Sequence, residues 1–148
     1  MRGYRVIFIT FFLVCFNGLS LAAESSTKVF IIQPKNGEMV DKTFEVVFGI
    51  EGMTLAPAGT YQKNTGHHHL IINESYDVIS NKDLPIPFER NVLHFGGGQT
   101  EATLSLPAGK YNLQLVLGDY EHKPIKPLRP NQLDNPIVSN KINIEILP

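Results

Sequence analysis

Two neighbouring runs constrain this chain more than anything else in it. Ala102, Leu104 and Leu106 alternate with polar residues, Pro107-Ala108-Gly109-Lys110 turns the chain, and Tyr111, Leu113, Leu115 and Leu117 alternate again. A period of two is the signature of a strand with one buried face, and turn residues between two such runs bring the chain back on itself. The same period recurs over Thr43 to Glu51, through Phe44, Val46, Phe48 and Ile50. It recurs once more in a last strand, Ile137 to Leu147, with Ile142, Ile144 and Ile146 inward and Asn143 and Glu145 outward. Val29 to Ile32 is a short apolar strand closed by Pro34-Lys35-Asn36-Gly37. Residues 74–92 hold Pro85 and Pro87 and read as a long crossing loop, and Gly118 to Asn135 is irregular. No run carries a convincing helical period. About seven short strands separated by turns predict an all-β chain, an immunoglobulin-like antiparallel β-sandwich. A small closed β-barrel is the alternative. Tyr111, just after the turn, is placed to form a tyrosine corner.

The first 22 residues read differently. Arg2 and Arg5 precede an apolar run from Val6 to Phe16, and Ser20-Leu21-Ala22 supplies small residues before a cut. That is the layout of a signal peptide, and the apolar run is shorter than the roughly 20 residues of a spanning helix. The expectation is a signal peptide over residues 1–22 and one domain over 23–148, exported to the periplasm or beyond. The chain's one cysteine, Cys15, falls in the leader, so a mature chain has neither disulfide nor thiolate ligand. Without Arg2 and Arg5, Lys and Arg number 11 against 14 acids, a net charge of −3. With no basic block, the composition argues against nucleic acid and against an anionic membrane surface as partners once the leader is cut.

The five histidines carry the chemistry. Gly66-His67-His68-His69 runs straight into Leu70-Ile71-Ile72, the start of a buried strand. Alternation puts His67 and His69 on one face, and His68 on the other with Leu70 and Ile72. His94 and His122 sit at the edges of strand-like runs, and in a sandwich the ends of distant strands meet. Imidazole suits copper(II), zinc and nickel. The candidate metal ligands are therefore His67, His69, His94 and His122, with Asp119 beside His122 as a ligand or an orienting acceptor. The competing reading is a scaffold in which the histidines satisfy buried polar groups and one another. Gly96-Gly97-Gly98 reads as a turn, or as a close approach of backbone to a ligand.

Three stretches together carry a resemblance: GHHHLII at 66–72, LHFGGGQTE at 93–101 and LPAGKYNLQLVLGDYEH at 106–122. The opening VFIIQP at 29–34 and the segment from Gly52-Met53 to Pro57-Ala58-Gly59-Thr60 extend it across nearly all of residues 23–148. The chain resembles a secreted bacterial family of domains of unknown function, DUF4399. The resemblance implies a small exported sandwich with no assigned activity. It departs after Gly118-Asp119, where relatives carry further histidines and this chain has Tyr120 and then Lys123-Pro124.

No GxSxG elbow, HExxH helix, phosphate loop or dinucleotide fingerprint is present. The sequence therefore points to a binding domain rather than an enzyme. Its expected ligand is a divalent transition metal, copper or zinc, and the alternative is a non-catalytic structural or interaction module.

Overall fold

The computed structural model describes residues 26–79, 84–126 and 135–148. The expected signal peptide, with Cys15, and part of the loop after residue 124 lie outside them. The described chain runs β1 (Lys28–Gln33), β2 (Glu38–Val40), β3 (Thr43–Glu51), β4 (Thr54–Leu55), β5 (Thr65–Ile72), α1 (Tyr76–Ile79), β6 (Val92–Phe95), β7 (Glu101–Ser105), β8 (Gly109–Gly118) and β9 (Ile142–Ile146). The helix is a single turn. Among the described residues, no helix is long and apolar enough to cross a membrane.

The strands form two sheets. One has three antiparallel strands in the order β1-β3-β7. The other has six, in the order β2-β9-β8-β5-β4, with β6 also paired to β5. Among the described residues no ladder joins the two, so the arrangement is a β-sandwich and not a closed barrel. The alternating residues explain how the sheets meet. Phe44, Val46 and Phe48 from β3 face Leu70, Ile72, Leu113, Leu115, Leu117, Ile144 and Ile146 in one core. Tyr111 forms the expected corner, its hydroxyl donating to the Pro107 carbonyl at 3.0 Å.

The architecture is richer than about seven strands. Two short edge strands run parallel to their neighbours: β2 along β9, and β4 along the first residues of β5. At two or three residues each they are too short to carry a period. The last strand also begins later than its apolar pattern indicates. Residues 137–139 instead lie beside the end of β8, where Ser139 Oγ accepts from the Leu115 amide at 2.8 Å and a bridge joins Val116 to Val138.

What positions the site is the burial of β5. All eight of its residues are buried, so both faces are covered. One face lies in the sandwich core. On the other, Ile71 and Val116 pack with Tyr76, Ile86 and Val92 in a second, smaller cluster. The connection between β5 and β6 thus does more than cross: it roofs the outer face of the larger sheet. His67 and His69 stand on that outer face, beyond the small cluster.

A candidate metal centre of converging imidazoles

The site is built on three neighbouring strands. In β5, His67 and His69 point to the outer face and His68 points into the core. β6 lies against one side of β5 with His94 directly opposite His69, and residues opposite each other in a ladder share a face. β8 lies on the other side, with Gly118 opposite His67 and Val116 opposite His69. Three imidazoles therefore stand on one rigid sheet surface, and the coordinating nitrogens of His67, His69 and His94 all lie within 4.8 Å of one another.

His122 arrives from the loop after β8. Its ring centroid is 4.6 Å from His94, 5.0 Å from His67 and 5.9 Å from His69. The Nε2 atoms of His94 and His122 are 3.0 Å apart. That distance fits a hydrogen bond, and it also fits two ligands of one ion, since metal–nitrogen bonds of about 2.0–2.1 Å leave ligand atoms about 3 Å apart.

The loop that delivers His122 is tightly organised. Asp119 Oδ1 accepts from the backbone amides of Glu121 and Lys123, both at 2.8 Å. The His122 amide donates to the Asp119 carbonyl at 2.9 Å, and the His122 carbonyl accepts from the Ile86 amide at 2.8 Å. His122 itself has φ of 66°, in the left-handed region that non-glycine residues enter seldom. Such a conformation persists where its surroundings over-determine it, and it clusters at functional sites. Asp119 thus holds the turn that aims His122, and neither Asp119 nor His122 is in the group of three whose ligand atoms all lie within 4.8 Å of one another.

Two glycines make room for the rings. A Cβ on Gly118 would stand 2.6 Å from His69 Cε1 and 3.0 Å from its Nδ1. A Cβ on Gly96 would stand 2.2 Å from His94 Cε1. Of the three glycines after β6, Gly98 takes the turn, with φ of 74° and its amide on the Phe95 carbonyl, and Gly96 takes the close approach. The turn reading of that triplet holds, and Gly96 makes room for a ring of the chain itself rather than for a ligand.

A family model for a domain of unknown function, DUF4399, matches residues 46–147. That span holds every histidine of the site and all but the first strands of the sandwich. The chain belongs to the DUF4399 family. Searches of curated proteins and of solved structures found no match.

Electrostatics separate the histidines of this DUF4399 domain. His67 is pushed down from 6.5 to about 4, first by burial and then by repulsion from His94, His122 and His68. His69 is pushed lower still, by burial and then by His67, His94 and His122; the His67 backbone opposes this slightly. His94, half-buried, is lowered by burial and by His122. Among the described residues, His67 Nε2 and both ring nitrogens of His69 are buried with no hydrogen-bond partner.

His68 behaves as a core residue. Its ring lies 5.2 Å from Phe48, and burial lowers its pKa, with the Gln99 carbonyl raising it in part. Its Nδ1 is 3.3 Å from that carbonyl, which only accepts, so Nδ1 carries the proton.

Sequence reasoning missed Phe88. It is 72% exposed, yet its ring lies 5.3 Å from His94 and 5.5 Å from His122, at the outer rim of the site. Nothing in a loop that follows Pro85 and Pro87 signals such a position. Gly118 was legible only as a strand end, because its role depends on a ring from the neighbouring strand.

Proposed function

We propose that this protein is an exported binding domain that holds one divalent transition metal, copper or zinc, on the imidazoles of His67, His69, His94 and His122. The observation that carries the reading is four converging rings, two of them buried with ring nitrogens that have no protein partner. A buried polar atom left unpaired costs on the order of 1–3 kcal/mol, and a metal ion uses the one lone pair of each neutral ring. Imidazole nitrogen is a favoured donor for both ions. Asp119 serves by holding the His122 loop, a positioning role behind a ligand. Export rests on the basic and apolar pattern of residues 1–22. The domain binds rather than turns over its ligand, a reading supported by the lack of any recognised catalytic motif.

A scaffold without metal has one observation in its favour, the 3.0 Å contact between His94 and His122. It leaves the nitrogens of His67 and His69 unexplained. Metal analysis of untagged protein, then thermal unfolding with copper, zinc or a chelator, separates the two. A ligand held only by the native state raises the midpoint by mass action, so the metal reading expects a rise with copper or zinc. An unmoved midpoint with both ions at neutral pH leaves only the scaffold.

A further inference from the structure

The converging donors share a property with a further consequence: none of them carries a negative charge. The group whose ligand atoms come together is made of imidazoles alone, and histidine ligates as the neutral ring. The two acids of the loop that carries His122 are already engaged. Asp119 Oδ1 is held by two backbone amides, and Glu121 pairs with Lys123 Nζ at 3.0 Å. A divalent ion seated here keeps its double positive charge, next to rings that are 1% exposed at His67 and His69. Charge taken out of water without a counter-charge is costly, far more so than an unpaired dipole.

We infer that a divalent ion held by these imidazoles also takes a small monoanion, such as a halide, azide or hydroxide, at a coordination position on the His94–His122 side. The inference rests on the metal reading and extends it to a second ligand. The side is set by burial. The sheet backbone lies beneath His67 and His69, and the roof formed by Ile86 lies against Gly118. His94 and His122 are only half-buried, and the exposed ring of Phe88 stands against both. Copper(II) accommodates further donors in a tetragonal arrangement, so neither three nor four imidazoles exhaust its positions.

The test uses the purified protein loaded with copper(II), with bound copper measured first by metal analysis. Sodium azide is then titrated while the visible and near-ultraviolet spectrum and the electron paramagnetic resonance signal are followed. The expected result is a new azide-to-copper charge-transfer band that saturates at one azide per copper. Added chloride should shift the midpoint to higher azide. Copper bound at one per chain with a spectrum unmoved by azide overturns the anion site and leaves the metal reading standing. A chain that takes up neither copper nor zinc overturns both. Asp119→Asn keeps an oxygen for the two amides but removes the charge. If azide binds only in that variant, Asp119 is the counter-charge and the inference fails.

Discussion

Replacing Gly118 by Ala tests the packing of the site with one methyl group. The new Cβ would lie 2.6 Å from His69 Cε1, 3.0 Å from its Nδ1 and 3.3 Å from Ile86 Cδ1. Carbon atoms rest at about 3.5–4.0 Å, so the His69 ring must retreat by roughly 1 Å. It cannot retreat freely, because the His67 and His94 rings are centred 4.7 and 5.0 Å away. Forcing a methyl into a packed interior costs about 1–3 kcal/mol. Removing glycine's freedom from the unfolded chain returns about 0.4–1 kcal/mol, and Gly118 does not need the left-handed region. The net expectation is a loss of about 1–2 kcal/mol. With a urea slope of about 1–3 kcal/mol per molar, the midpoint of metal-free protein should fall by roughly 0.3–2 M. Copper affinity, measured by titration, should fall about tenfold, which corresponds to about 1.4 kcal/mol. A variant as stable as the parent, with unchanged copper affinity, would show that Gly118 does not seat His69.

Acid should destabilise the metal-free fold in a defined window. His67, His69, His68 and His94 all titrate below 6.5 in the folded chain, so the unfolded chain takes up protons first as pH falls. Stability is level above about pH 7 and declines from 6.5 towards the folded value of about 4 for His67, with up to about 1.4 kcal/mol per pH unit for each histidine that stays neutral. Urea unfolding at pH 7, 6 and 5 reads this, and a flat or rising curve would refute it. Leu115, fully buried in the middle of β8, should lose roughly 2–5 kcal/mol on truncation to Ala; a loss below about 1 kcal/mol would mean that its face is wrongly placed. In copper titrations, His67→Ala and His69→Ala should each weaken binding strongly, while His68→Ala should chiefly lower the urea midpoint. Equal affinity losses at all three positions would contradict the extended register of β5.

Periodicity carried the fold surprisingly far where a strand was long enough to show it. β3 spans Thr43–Glu51, the same residues over which apolar side chains alternate. β8 follows the Tyr111 to Leu117 run. Where it did not, the reason is length or partnership. β2 and β4 are held by ladders to strands distant in sequence, and residues 137–139 leave their pattern to satisfy β8. The same division holds at the site. Opposite faces for His67 and His68 follow from a two-residue repeat alone, whereas the seat of His69 against Gly118 involves a ring from one strand and a missing side chain on the next.

By itself, then, the sequence determined the strand faces, the absence of thiolates from the expected mature domain, and the kind of donor available to a metal, because these depend on residue type and local period. Only the tertiary structure decided that His94 stands opposite His69 in a ladder and that His122 swings in on a turn held by Asp119. It also decided that Ile86 roofs the outer face and that Phe88 stands at the rim. Apart from the short Asp119 turn, each of those placements brings together residues from different strands or loops. Their geometry is set by strand pairing and packing between elements, and no local pattern encodes it.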